Sequence, residues 1–384
     1  MPPSHLYFDW NATTPPTAEV VAAMVAALES SWGNPSSVHA TGRRARAHVE
    51  DARDAVAALL ERDARDVVLT SGGTEANNLA MALALGAAGG SPGAVVVGRI
   101  EHPSVTQPAS LLARRGVEVL WVEPTKAGLL EPAAFDDAIA RASSPVRLVS
   151  LQAVNHETGV IQPVGAVAEI AHRHRALLHT DAVQAAGKLG PEAWRGADLV
   201  TLAAHKLRGP KGIGALVGRQ GVRLEPVLVG GAQEGGLRPG TQDAAACAGL
   251  AVAAERARRP DVRATWSRVA LHRDELERRL VERCGGTVNG AGASRVFHVT
   301  NVSVPGWRGP ELVACLDLEG VAISSGSACS AGTAEASPII TAMVGSQRAE
   351  QAIRISLGDD VDESAIARFF AALEAVLARG STNP

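Results

Sequence analysis

Over residues 17–30 the apolar positions of "TAEVVAAMVAALES" recur at helical spacing, which predicts an early helix. The next stretch, "GNPSSVHATG" (33–42), is rich in Gly, Pro and Ser and predicts a loop. Beyond it one pattern recurs: a short run of β-branched and aliphatic residues ends abruptly in polar ones. "DVVLTSGG" (66–73) predicts a buried strand running into the helix "TEANNLAMALAL", and "AVVVGRIEHPSV" (94–105) predicts a second strand and helix. "VRLVSLQAVNHETG" (146–159), "ALLHTDAVQAAGKLG" (176–190) and "ADLVTLAAHKLRGPKG" (197–212) have the same form. Runs without polar alternation belong to strands covered on both faces. Separated by helices, they predict an α/β fold with a mainly parallel mixed sheet flanked by helices.

Past about Arg256 the periodicity changes to a long Arg/Glu-rich helix, a Gly-rich link (285–293), and the segments "RVFHVTNVSV", "ELVACLDLEGVAISSGS" and "AIRISLG". These predict a smaller α+β domain. The division assigned is a large domain over 15–256 and a small domain made of 1–14 and 257–384.

Composition narrows the ligand. A chain of 384 residues with 46% hydrophobic content can build a core for about two domains. Its formal charge of −3 gives no general reason to expect nucleic acid or an anionic membrane as a partner, so a small ligand is expected. "MPPSHLYFDWNATTPP" has no basic start followed by an apolar run, and no apolar stretch reaches the ~18 residues of a membrane span; a cytoplasmic protein is expected. Cys247, Cys284, Cys315 and Cys329 lack CxxC spacing, which fits neither a disulfide framework nor a zinc site, and no metal is expected. Only Lys126, Lys188, Lys206 and Lys211 supply primary amines in side chains.

Parallel sheets carry ligands at the carboxyl ends of their strands. The polar residues there are Thr74, His102, Asn155, Asp181, Gln184, His205 and Lys206. Singly, each has an ordinary structural role: a turn and helix cap for "SGGTE", a capping carboxylate for Asp181, a satisfied loop histidine for His102, a solvated cation for Lys206. Pyridoxal phosphate unites them. Gly72 and Gly73 let backbone N–H groups approach an anion at a helix start, and Thr74 adds a hydroxyl. Asp181 would keep the pyridine nitrogen protonated, the condition for the ring to act as an electron sink. Gln184 would reach the phenolic oxygen, and His102 would stack on the ring and handle protons. Lys206, directly after a strand end and beside a histidine, is the Schiff-base lysine; Lys188 and Lys211, both next to glycines, are the alternatives.

With these motifs the chain resembles the cysteine desulfurases of the class V aminotransferase superfamily, which have the type I fold of pyridoxal phosphate enzymes. The resemblance runs through "YFDWNATTPP", "GNPSSVHATGR", "TSGGTEANNLA", "EHPSV", "NHETGVIQPV", "HTDAVQAAGK", "AAHKLRGPKGIGAL", "GGAQEGGLRPGT", "SSGSACSAG" and "IRISLG". "SSGSAC" is similar to the short-loop branch, which includes enzymes that supply sulfur for iron-sulfur cluster assembly and tRNA thiolation.

The resemblance implies conversion of L-cysteine to L-alanine, with the sulfur held as a persulfide on Cys329 and passed to an acceptor protein. The alternative is a selenocysteine lyase or another pyridoxal-phosphate C–S lyase on the same scaffold. It implies cofactor contacts from Gly73, Thr74, His102, Asn155, Asp181, Gln184, His205 and Lys206, and a substrate site of Asn34, Asn155 and Arg354, the last two holding the carboxylate. Thr241 would reach the phosphate of a neighbouring subunit in a homodimer. The chain departs from the common pattern at Ala203, where many relatives have a phosphate-binding serine, at Gly235 and Pro239 in the "GGAQEGGLRPGT" loop, and at His156, which replaces a frequent asparagine. Cys329 lies among Ser, Gly and Ala with few apolar anchors, which predicts an exposed, movable thiol. Cys247, Cys284 and Cys315 read as small buried hydrophobes.

Overall fold

The structure, a computed structural model, describes residues 5–85, 93–326 and 336–380. In chain order its elements are β1 (Leu6–Tyr7), α1 (Ala18–Ser30), α2 (Ala40–Leu60), β2 (Val67–Thr70), α3 (Gly73–Met81), β3 (Ala94–Gly98), α4 (Pro103–Arg114), β4 (Val119–Val122), α5 (Pro132–Arg141), β5 (Val146–Ser150), α6 (Val164–Arg173), β6 (Leu177–Asp181), β7 (Leu199–Ala203), β8 (Gly214–Gly218) and α7 (Ala244–Arg258). There follow α8 (Pro260–Cys284), β9 (Thr287–Val288), β10 (Val299–Ser303), α9 (Gly309–Leu318), β11 (Val321–Ala322), α10 (Pro338–Val344), α11 (Ser346–Glu350), β12 (Ala352–Ser356) and α12 (Glu363–Gly380). Among the described residues no helix is long and apolar enough to cross a membrane.

Seven strands form the main sheet in the order β2-β8-β7-β6-β5-β3-β4. All run parallel except β8, which pairs antiparallel with both β2 and β7. The two-sided burial expected of unbroken apolar runs is explicit in β3: Val96 belongs to one core cluster, while Val95 and Val97 belong to another on the opposite face. One expected feature is missing. Between β6 and β7 the chain crosses by turns and a short 3₁₀ helix, Pro191–Trp194, with no α-helix. The run "DAVQAAGKLG" carries the alanines of a helix, but Gly187 at φ +74° and Gly190 interrupt it before two turns can close.

A second core joins the start of the chain to its last third. Leu6 and Phe8 pack with Trp266, Leu280, Val302, Leu312, Ile353 and Phe369. The backbone explains why: Phe8 N–H donates to Ala322 O, and Ser356 N–H to Phe8 O, both at 2.8 Å, so residues 6–10 thread between β11 and β12. The three-stranded sheet β12-β10-β9 is antiparallel. The segment that follows, residues 11–14, leaves this sheet and lies over the carboxyl ends of the large one.

β8 enters the sheet through a close approach. A Cβ on Gly214 would stand 2.6 Å from Leu202 O and 2.8 Å from Gly72 Cα. Gly214 therefore lets the turn between β2 and α3 rest on the strand that separates β2 from β7. Gly214→Ala should lower the urea midpoint of the cofactor-free protein by a shift equivalent to about 1–3 kcal/mol, the usual cost of overpacking. An unchanged midpoint would show that the Gly72 turn yields.

Candidate active site

The carboxyl ends of β2, β3, β5, β6 and β7 open into one cleft of about 240 Å³. Gly73, Thr74, His102, Asp181, Gln184, His205, Lys206 and Arg354 all line it. Each reaches it for a local reason. Gly72, at φ +151°, turns the chain from β2 into α3, and no side chain caps that helix. The first-turn N–H groups and the helix dipole are thereby available to an anion. Ala203 also lines the cleft and offers no hydroxyl to it.

Asp181 is the last residue of β6. Its Oδ1 accepts from Val183 N at 3.0 Å and its Oδ2 from Asn77 Nδ2 at 2.7 Å. Asn77 also donates to Ser104 Oγ at 2.8 Å, and Ser104 Oγ lies 2.7 Å from His102 Nδ1. Because that ring nitrogen also accepts from Ser104 N at 3.1 Å, capping α4, a neutral His102 carries its proton on Nε2. Burial pulls the His102 pKa down, Asp181 opposing. Gln184 donates through Nε2 to Asn11 O at 3.1 Å, and its buried Oε1 has no partner.

Lys206 sits in a 3₁₀ turn directly after β7, and its Nζ donates to the carbonyls of Asn11 and, at 2.7 Å, Ala12. Burial, with Arg354 and Lys188 adding positive charge, brings its pKa from 10.5 down to about 7 against the pull of Asp9 and Asp181. His205 is held by Thr13 Oγ1 at 3.1 Å from Nδ1; burial, then Lys206, pushes it to about 4. Of the alternative lysines, Lys188 is buried behind the turn with Nζ 3.4 Å from Lys206 O, and Lys211 is exposed. Neither lines the cleft.

Arg354 comes from β12 in the second core and is 1% exposed. Its Nη2 meets Asp9 Oδ1 at 2.5 Å and its Nη1 donates to His156 O at 3.3 Å. Its backbone pairs with Ser324 through bonds of 2.6 and 3.1 Å.

Three expected site residues lie elsewhere. Asn155 does not line the cleft; its Oδ1 accepts from Glu157 N, Thr158 N and Thr158 Oγ1 at 2.9–3.0 Å, and its Nδ2 donates to Ile100 O at 3.1 Å. The amide builds the turn that "NHETG" makes, with both its oxygen and its nitrogen engaged within the chain. Asn34 is exposed, its Oδ1 accepting from Ser36 N at 2.8 Å, and Thr241 is exposed as well. The loop before Thr241 is tied to the body of its own chain: the buried Glu234 carboxylate holds Arg53 at 3.0 and 3.1 Å, Leu69 N and Gln242, and Arg238 meets Glu75 at 3.1 Å. Cys329 lies outside the described residues. Conversely, Asn11, Ala12, Asn77, Ser104, Gln152 and His156 line the cleft without having been expected there. Of these, Asn77 and Ser104 carried a signal as polar residues near the start of helices that begin at the cleft, and His156 as a departure from the common pattern.

Residues 6–369 match the family model of class-V aminotransferases. The chain is 41% identical over 358 residues to the cysteine desulfurase of Cereibacter sphaeroides, covering 92% of this chain and 90% of that protein. It is 38% identical over 381 residues to the cysteine desulfurase of Gluconacetobacter diazotrophicus, covering 97% and 94%. A NifS-like protein from Rickettsia africae superposes with a TM-score of 0.86 at 26% identity, over 97% of this chain and 99% of its own. The chain belongs to the class-V aminotransferase family of pyridoxal phosphate enzymes. Within that family it groups with the cysteine desulfurases.

The residues present fit that cofactor. A half-buried amine of lowered pKa, an uncapped helix start, a strand-end carboxylate and the orphaned acceptor Gln184 Oε1 are what an aldehyde, a phosphate, a protonated pyridine nitrogen and a phenolic hydroxyl require. The lowered Lys206 pKa gives a test. The amine is mostly neutral above about pH 7, so capture of added pyridoxal phosphate by the cofactor-free protein should accelerate from about pH 6 to about pH 8 and then level off. The same shift means that the unfolded chain holds the extra proton between its value of 10.5 and the folded value of about 7, so this group's contribution to stability rises with pH across that window. A capture rate still climbing towards pH 10 would show an ordinary lysine.

Proposed function

We propose that Lys206, Asp181, Gln184, His102 and Arg354 divide the desulfuration of L-cysteine among them, with Cys329 receiving the sulfur. Gly73 and Thr74 hold the cofactor phosphate, Asp181 the pyridine nitrogen, Gln184 the phenolic oxygen, and His102 the face of the ring. Pyridoxal phosphate, when bound, supplies the electron sink for the substrate Cα and Cβ. The Lys206 amine, neutral near pH 7, takes the Cα proton, because the carbonyls of Asn11 and Ala12 aim it without adding a charge that would hold the proton. Arg354 binds the substrate carboxylate.

The Cys329 thiolate attacks the substrate sulfur: an S–S bond forms as the Cβ–S bond breaks, and the electron pair of that bond goes to carbon; Cβ takes up one proton to become the methyl group of alanine, and Cα regains the one it lost. The single observation that carries this reading is the position of one amine, the half-buried Lys206, at the meeting point of the strand-end groups. A second supports Cys329 by elimination. Cys247 is 1% exposed with its thiol pushed up to about 12 by burial, Cys284 is pushed up by burial, Cys315 packs against the second core, and none of the three lines the cleft.

The enzyme works as a homodimer in which Thr241 completes the phosphate seat of the other subunit. What supports this is the exposure of Thr241, which finds no place in its own cleft, together with exposed apolar side chains on loops of the large domain: Val229 at 90%, Val38 at 87% and Trp32 at 77%. The persulfide passes to an acceptor protein.

Cys329→Ser should keep the cofactor and its spectral response to cysteine but lose nearly all alanine and sulfide production, while Cys247→Ser, Cys284→Ser and Cys315→Ser stay active. Substantial sulfide release by Cys329→Ser would move the protein to direct C–S lysis. Lys206→Ala should abolish turnover and the borohydride-reducible cofactor adduct; an adduct surviving on Lys188 or Lys211 would displace Lys206. Mixed dimers of Lys206→Ala and Thr241→Ala chains should exceed the average of the two homodimers, since one site regains both groups. Strict averaging would place Thr241 in its own chain's site.

A further inference from the structure

His156 differs from the other buried histidines in what its ring lacks. His179 is satisfied at both nitrogens, by Ser150 Oγ at 2.9 Å and Thr201 Oγ1 at 3.0 Å, and His298 reaches Asn11 Oδ1 at 2.9 Å. Neither nitrogen of His156 has a partner, although the residue is only 7% exposed and lines the cleft. The backbone holds it there. Asn155 Oδ1 accepts from the next two N–H groups at 3.0 and 2.9 Å, and the His156 carbonyl accepts from Asn11 Nδ2 at 2.9 Å and Arg354 Nη1 at 3.3 Å. The ring packs edge-on against His102, with centroids 5.1 Å apart and planes at 70°. A buried donor and acceptor without partners is costly to keep unless a ligand answers it.

Arg354 indicates which ligand group that is. Its Nη2 is already paired with Asp9 at 2.5 Å, so part of its charge is answered before a substrate arrives. A carboxylate bound beside it gains from a second donor. Burial, with His102, Arg354 and Lys206 as positive neighbours, holds the His156 pKa well below the usual range, and the neutral ring offers one N–H and one lone pair. An N–H to a carboxylate is charge-assisted, whereas a thiol is a weak partner in either direction. Of the two polar ends of cysteine, the carboxylate answers the buried ring better.

We infer that His156 is a substrate-binding residue that donates its imidazole N–H to the α-carboxylate of the amino acid held by Arg354. This rests on the role given to Arg354 above. L-Alanine, which has the carboxylate but no sulfur, is the probe, followed through the cofactor absorbance of the loaded enzyme. His156→Leu should raise the dissociation constant of alanine about tenfold, and His156→Asn, which keeps an N–H donor, by no more than about threefold. The KM for cysteine should rise with it while kcat changes less. His156→Phe keeps bulk without a donor and gives the same comparison if leucine disturbs cofactor binding. An unchanged alanine affinity in the leucine and phenylalanine variants overturns the inference, and so does a rise confined to the KM for cysteine, which would assign the ring to sulfur. Arg354→Lys separates the two levels: if it weakens alanine and the His156 variants do not, only this inference fails. If it leaves alanine unaffected, the reading of Arg354 fails.

Discussion

A primary amine partly withdrawn from water, with backbone carbonyls for company, is the constraint on which the site depends. Left in solvent, Lys206 would carry a proton at neutral pH and serve neither as nucleophile nor as base. Burial removes the solvation that favours the charge, and the positive neighbours Arg354 and Lys188 push the same way. Asp9 and Asp181 oppose, which sets the balance near neutrality instead of far below it. The carbonyls of Asn11 and Ala12 accept from either protonation state, so they fix direction without fixing charge.

Around that amine the polar groups form linked chains. Asp181, Asn77, Ser104 and His102 make one, running from β6 across α3 to α4 and settling the tautomer of His102 on the way. Asn11 makes another hub: its amide touches His156 O and His298, its N–H meets Ser356 Oγ, and its carbonyl serves Lys206 and Gln184. In a low-dielectric interior such networks rigidify when satisfied. Among the groups left unsatisfied, Asn77 Oδ1, Gln184 Oε1, Arg354 Nε and the His156 ring belong to residues that line the cleft, where a ligand can complete some of them.

Much of this was legible in the sequence, because parallel strands buried on both faces leave unbroken apolar runs and put chemistry just past their ends. That logic located Thr74, His102, Asp181, Gln184, His205, Lys206 and their shared cleft. It failed where the backbone does the binding, since the carbonyls of Asn11 and Ala12 carry no signature in side-chain type. Nor did it show the turn that the Asn155 amide builds through its bonds to residues 157 and 158. Neither the antiparallel insertion of β8 nor the helix-free crossing from β6 to β7 follows from apolar periodicity, which reports burial and not direction. Glu234 read as one polar residue in a Gly-rich loop, yet it is the buried anchor that ties that loop to Arg53 and Leu69.

The threading of residues 6–10 between β11 and β12 bears on how the molecule is made. On the ribosome these residues emerge first, and their partners, Gly320, Ala322 and Ser356, emerge more than three hundred residues later. Until then residues 6–10 have no strands to lie between, and the backbone that aims Lys206 is held to the large domain through Thr13, Thr14 and Thr17. Contacts of such long range form late. The backbone that aims the Lys206 amine is thus anchored at one end by the last third of the chain, which supplies both strands that flank residues 6–10.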